Sequence, residues 1–170
     1  SYAGNSFVCE PTGNLVHRDR LELHGVAWQA VENTTGREFL AAADEWFRPV
    51  ALADGPDGCL YVADMHRAVI EHPQFMPPEL AQRPDLRLGD DRGRIYRIRD
   101  ARGRPKRPGP ELSKSGVQEL VATLDHPNGW HRDTAARLLL ERSDRGSLPA
   151  VVDLARRGRS AAGRIRSLWL

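Results

Sequence analysis

Two hydrophobic periods divide the chain. Up to residue 99 the apolar residues come in short β-type runs: Phe7-Val8-Cys9, Leu15 to Leu23, Val26 to Val31, Glu38-Phe39-Leu40, Val50 to Ala53, Leu60-Tyr61-Val62 and Ile95-Tyr96-Arg97-Ile98. Short runs of this kind, bounded by Gly, Pro, Asn and Asp, predict strands. The sharpest break is Asp54-Gly55-Pro56-Asp57-Gly58. There glycines supply positive φ, Pro56 presets its own φ, and the aspartates accept backbone N–H bonds, which together predict a tight turn.

Past residue 112 the period becomes helical. Val117, Leu120, Val121 and Leu124 fall at i, i+3, i+4 and i+7, and Leu148, Val151, Val152 and Ala155 repeat that spacing, which predicts amphipathic helices. Ser115 with Gln118 reads as a capping box, and Ser147 with Pro149 as a second helix start. Ala135, Leu138 and Leu139, behind the break Pro127-Asn128-Gly129, predict another helix, and Ile165, Leu168 and Trp169 a fourth. Ala135 to Leu140 aligns with Ile165 to Leu170 at an offset of 30 positions, so the helices come in pairs at a repeat period. Such a pair buries its apolar stripe only against a stacked neighbour, and the chain stops at Leu170 inside an apolar run, which reads as a truncated array. The expected organisation is strands over 1–99, an exposed Pro/Gly/Arg linker over 100–112, and helical repeats over 113–170.

Charge and composition narrow the partners. Lys plus Arg total 25 against 23 acidic residues, a net charge of +2. That is too small a field to draw the whole chain to nucleic acid, so none is expected as partner. The basic excess is local, at Arg102, Arg104, Lys106 and Arg107 and again at Arg156, Arg157, Arg159, Arg164 and Arg166, as solvated linker and helix surface. Cys9 and Cys59 lie in apolar strand contexts and read as small buried hydrophobes. The absence of C-x-x-C excludes the common metal and redox motifs, and the absence of C-x-x-C-H a covalent haem site. No apolar run reaches the roughly 18 residues of a membrane span, and Ser1-Tyr2-Ala3-Gly4 has no signal-peptide character.

The stretch Glu45-Trp46-Phe47-Arg48-Pro49-Val50, then Asp54 to Asp64, then Gly93-Arg94-Ile95-Tyr96-Arg97-Ile98 looks like one propeller blade. Together with Gly4-Asn5 to Glu10-Pro11, Asn14-Leu15-Val16-His17, Asp64-Met65-His66-Arg67, Ile70-Glu71-His72-Pro73 and Leu124 to Leu139, it resembles the bacterial putative membrane-bound dehydrogenases. In that family a six-bladed β-propeller similar to soluble glucose/sorbosone dehydrogenases precedes HEAT repeats and often a cytochrome-c-like module. The resemblance implies a β-propeller fragment made of antiparallel blades, followed by an α-helical HEAT-repeat segment. It implies a periplasmic or cell-surface protein related to oxidoreductases, with pyrroloquinoline quinone as the suggested cofactor and haem c only outside this segment. Roughly 100 β residues cannot close a six-bladed ring, so the fragment alone is expected to be inactive.

Between Asp64 and Gly93 about 28 residues interrupt the blade, far more than the 2–5 residues of a hairpin loop. In a propeller such loops line the mouth of the central channel. A quinone would need cationic donors for its carboxylates, and oxidation of a sugar or alcohol hydroxyl would need a base. Arg48, Arg67 and Arg94 suit the first role and His72 the second. The alternatives are salt bridges from the arginines to Asp54, Asp64 or Glu71, and a loop histidine bonded to a backbone carbonyl. The family more often carries an aromatic residue at the position of His66, so no catalysis is rested there. Asp54, Asp57 and Asp64 lack the ligand spacing of a calcium loop and read as turn caps, so no metal is expected. Trp46 and Phe47 read as packing between blades, and Trp28, Trp130 and Trp169 as core residues. Two functions follow. One is part of a quinoprotein-like sugar or alcohol dehydrogenase with a HEAT-repeat interaction module. The other is a non-catalytic scaffold that binds polysaccharide or a protein partner.

Overall fold

The computed structural model describes residues 2–32, 36–101, 103 and 109–170. The chain is mixed α and β, with antiparallel pairing among its strands and with helices after them. It divides into two compact units, Ser1–Ala53 with Leu60–Ile98, and Asp54–Cys59 with Arg99–Leu170. Residues 102 and 104–108 of the expected linker lie outside the described residues.

In the first unit, β1 (Asn5–Glu10) pairs antiparallel with β2 (Leu15–His24), and β2 with β3 (Ala27–Glu32). The turn between β2 and β3 is the two-residue Gly25-Val26, with φ of +62° at Gly25. A positive φ at the first central position matches the right-handed strand twist. The short β4 (Leu40–Ala41) pairs with the start of β2. A second sheet holds β5 (Pro49–Asp54), β6 (Leu60–Asp64) and β7 (Arg94–Ile98) in that order, with β6 and β7 antiparallel from Leu60↔Ile98 to Asp64↔Arg94.

The buried part of this unit is thin. Val16, Pro49 and Val62 are fully buried and Phe47 nearly so, packed edge-on to Tyr96. Asn14, in the left-handed region at φ of 57°, donates from its amide to the carbonyls of Glu45 and Phe47 and so fastens residues 45–47 to the first hairpin. Asn, short and polar, is among the few non-glycine residues that enter this region readily. Val8, Leu23, Val26, Trp28, Val50 and Ile95 remain exposed.

Four helices fall where the 3.6-residue period predicts them. In the second unit, after the single-turn α1 (Pro78–Ala81) of the first, come α2 (Val117–Thr123), α3 (Gly129–Arg142), α4 (Leu148–Arg157) and α5 (Ala161–Leu168). The packed pairs are α2 with α3, α4 with α5, α2 with α4 and α3 with α5. One contiguous core of Leu112, Leu120, Val121, Leu124, Ala135, Ala136, Leu139 and Val151 runs through them.

Helix ends follow the sequence with one shift. Gly116, not Ser115, is the N-cap of α2, and it is Glu119, not Gln118, whose carboxylate accepts the Gly116 N–H at 3.0 Å. Asn128 caps α3 by accepting the Trp130 N–H at 2.9 Å, and Ser160 caps α5 through the Gly163 N–H. Asp125, just after α2, accepts the backbone N–H of Arg159 and Ser160 and the Ser160 hydroxyl. These bonds, with the Ser160 hydroxyl first, hold its carboxyl below the usual carboxylate range. A Cβ on Gly163 would lie 2.4 Å from Asp125 Oδ1, so only glycine fits there.

The turn 54–59 belongs to this second unit. Asn128 Nδ2 donates to the Gly55 carbonyl at 2.8 Å, and buried His131 Nε2 lies 2.9 Å from the Pro56 carbonyl. Burial, and next the His131 ring 4.4 Å away, push His126 below its ordinary value. The tryptophans differ from expectation: Trp28 is 67% and Trp169 80% exposed, and Trp130 sits at the surface. Cys9 and Cys59 are free and only partly buried, and burial pushes the Cys9 thiol up. Among the described residues no helix is long and apolar enough to cross a membrane.

Candidate functional site

Strand alternation sets the site. Val62 and Asp64 share one face of β6, and that face is the buried one, so the strand carries a carboxylate into the interior two residues after its most buried valine. A buried carboxylate is costly unless bonded and paired. Asp64 Oδ1 accepts the N–H of Arg48 and of His66, both at 2.8 Å. Its Oδ2 has no hydrogen-bond partner, with His66 Nδ1 at 3.5 Å and Arg94 Nε at 3.8 Å. At that distance Arg94 gives charge compensation without a hydrogen bond.

His66 is held in an unusual backbone state. Its φ is 51°, in the left-handed region, and its side chain is buried beside the Trp46 ring, 5.6 Å between centroids. Gly89, at φ of +93°, lies so close that a Cβ there would fall 2.3 Å from the His66 carbonyl oxygen. A non-glycine residue in this region costs about 1–3 kcal/mol and persists only where its surroundings fix it. Here Asp64 on one side and Gly89 on the other do so.

Arg48 closes the arrangement. Its guanidinium donates to three carbonyls: Pro11 at 2.8 Å, Arg67 at 3.0 Å and Ala68 at 3.0 Å. The sequence offered a salt bridge as the alternative to ligand binding for this residue, and the side chain instead ties backbone from the first hairpin to backbone of the 65–93 loop. Arg94 donates from Nε to the Arg92 carbonyl at 3.0 Å. Buried Arg67 Nη1 has no hydrogen-bond partner. Arg48 through its backbone N–H and Arg94 through its guanidinium meet Asp64, while His72 stands apart in an exposed turn, its Nδ1 accepting the Gln74 N–H at 3.1 Å and its ring 5.5 Å from Phe75. This is a turn histidine, bonded to an amide N–H where a carbonyl was the expected alternative.

These residues do not fit a quinone. Each guanidinium nitrogen of Arg48 donates to a carbonyl, and Arg94 is engaged with Arg92 and Asp64. Of the three arginines only Arg67 keeps a buried nitrogen without a partner among the described residues, too little to bind several carboxylates, and the exposed His72 has its Nδ1 taken by the Gln74 N–H. Nor is there a metal arrangement: among the described residues no group of three His, Cys, Asp or Glu side chains is placed to hold an ion, and Asp57 Oδ1 instead caps the Cys59 N–H at 3.0 Å. The Asp64–His66 pair was not singled out from sequence. The signal for Asp64 was there, as a carboxylate in phase with Val62, but nothing in the local sequence marks the left-handed turn at His66.

No curated protein and no solved structure matches the chain. A family model described as a domain of unknown function, DUF7133, matches residues 1–102, which take in the whole strand-rich unit.

Proposed function

The chain belongs to the DUF7133 family, and from that premise we propose that it is the closing part of a glucose/sorbosone-dehydrogenase-like propeller joined to HEAT-like repeats, serving here as a binding scaffold. The observation that carries this reading is the use made of the charged side chains around Asp64. Arg48 and Arg94 are consumed in holding the 65–93 loop onto its strands, which is the work of a frame and not of a hydride-transfer site. The order of elements supports the propeller and repeat parts of the proposal. Antiparallel sheets come first, and helix pairs stacked α2 on α4 and α3 on α5 follow, as repeat arrays stack. The whole protein is exported, and the scaffold presents surfaces to polysaccharide or to a protein partner.

The test uses the full-length protein with its flanking reading frame. Expected are retention on an immobilised polysaccharide or partner, and either no sugar-dependent reduction of an artificial electron acceptor or a turnover that Arg67→Ala and His72→Ala leave unchanged. Pyrroloquinoline quinone binding with sugar-dependent turnover that either substitution abolishes would overturn the scaffold reading and restore the dehydrogenase one.

A further inference from the structure

A cleft of about 270 Å³ opens on the first sheet, lined by Tyr2, Arg18, Arg37, Glu38 and Phe39. Its size lies just under the roughly 300–1,000 Å³ of small-molecule sites, enough for one sugar ring and not for an extended chain segment. Two of its lining rings, Tyr2 and Phe39, pack edge-on against each other and against Phe7 behind them, with centroids 5.7, 5.6 and 4.8 Å apart.

The charges around it are sorted. Glu38, the acid of the cleft, is taken by His17, whose Nδ1 lies 2.7 Å from Oε2 while Nε2 lies 3.1 Å from Asp19 Oδ1. Arg18 rests over the Tyr2 ring at 5.1 Å. Neither Arg18 nor Arg37 forms an ion pair among the described residues, although Glu38 sits beside Arg37 in sequence and in the same cleft. Two guanidinium groups thus line one small cavity whose acid, Glu38, is bonded to His17, and a planar fork of N–H donors is the group best shaped for a carboxylate. Stacking on Tyr2 holds one of them in place, which lowers the entropy lost when it binds.

We propose that this cleft binds a carboxylated sugar unit, a uronate residue of an acidic polysaccharide, with its carboxylate held by Arg18 and Arg37 and its ring against Tyr2 and Phe39. The inference rests on the scaffold reading and narrows its ligand. Charge supplies the specificity: a neutral sugar of the same shape would leave both guanidiniums uncompensated.

The experiment is calorimetric titration of the full chain at low salt with trigalacturonate, with neutral galactotriose, and with sodium sulfate as a charge-only probe. Saturable binding of trigalacturonate is expected, at least about tenfold tighter than galactotriose or sulfate, with Arg37→Gln and Arg18→Gln each weakening it by about five- to tenfold. Arg37 is exposed and forms no side-chain hydrogen bond or ion pair among the described residues, so Arg37→Gln leaves the fold intact, which amide exchange of β1 and β2 checks. No saturable binding of trigalacturonate overturns the proposal, as does equal binding of sulfate. Undiminished binding in the Arg18→Gln/Arg37→Gln double variant overturns the cleft while leaving the scaffold reading standing. Failure of the full-length protein to be retained on any polysaccharide or partner would instead remove that reading itself.

Discussion

The two units solve the burial problem in opposite ways. The helical unit gathers eight side chains into one core, with Leu120, Leu124 and Ala135 fully removed from solvent. The strand unit buries Val16, Pro49, Val62 and Phe47 and leaves Val8, Leu23, Trp28, Val50 and Ile95 at the surface. A sheet with both faces largely open gains little from apolar burial. The strand unit compensates with polar fastenings of long reach: Asn14 to residues 45 and 47, Arg48 to Pro11, Arg67 and Ala68, and Asp64 to Arg48 and His66. One unit is held by packing and the other by a few hydrogen bonds from polar and charged side chains, most of them partly buried. Mutation should therefore separate them by residue type.

The largest effect should come from the packed side. Leu120→Ala removes a fully buried side chain from the middle of the helical core and is expected to cost about 2–5 kcal/mol. The paired substitution Val50→Ala, on an exposed position of β5, should stay within about 0.5 kcal/mol. Denaturant unfolding followed by helical circular dichroism reads the first. A small change for Leu120→Ala would mean that the helical core does not behave as one cooperative unit.

On the strand side the sensitive position is polar. Asp64→Ala leaves the N–H groups of Arg48 and His66 buried without acceptor, at a cost of about 1–3 kcal/mol each way of counting the lost partner. Asp64→Asn keeps an acceptor oxygen and should recover part of the loss. The predicted readout is local: amide exchange across residues 65–93 should accelerate in Asp64→Ala while that of α2 to α5 is unchanged. Equal acceleration in both units would erase the distinction drawn between them.

How much of this was legible in the sequence follows the same division. The strand runs and the four helices of the second unit were readable because period and turn residues are local properties. The α2 cap was misplaced by one residue because Glu119 was free to reach the Gly116 N–H, a choice between neighbours that spacing alone does not make. The tryptophans were misread because apolar character was equated with burial, whereas thin sheets and short helices leave large side chains outside. Arg48 and Arg94 were read as cofactor donors, yet the guanidinium of Arg48 goes to three backbone carbonyls and that of Arg94 to one, groups that every residue carries and no sequence pattern flags. His66 is the extreme case. Its left-handed backbone sets its carbonyl against Gly89, 23 positions along the chain, a contact that no local pattern marks.

The smallest predicted effect tests the comparison by the sign of its pH dependence. Asp125 ties the end of α2 to the start of α5, and its folded-state pKa lies below the ordinary value, chiefly through the Ser160 hydroxyl. A depressed carboxyl binds its proton more readily in the unfolded chain. Its stabilisation is therefore complete above about pH 4 and is lost as pH falls through the folded value. His17 runs the other way. Its hydrogen bond to Glu38, and next that to Asp19, raise its pKa, so its stabilisation of the strand unit is present below about pH 6.5 and is lost as pH rises through the folded value. Asp125→Asn should flatten the acid limb of helical-unit stability and cost about 1 kcal/mol at neutral pH through the weakened cap. His17→Gln should flatten only the shallow neutral limb seen in amide exchange of β2 and β4, a smaller change because the ring is 36% exposed. Opposite slopes in the two units, each removed by its own substitution, are the expected result. A common slope in both would show that they titrate as one body.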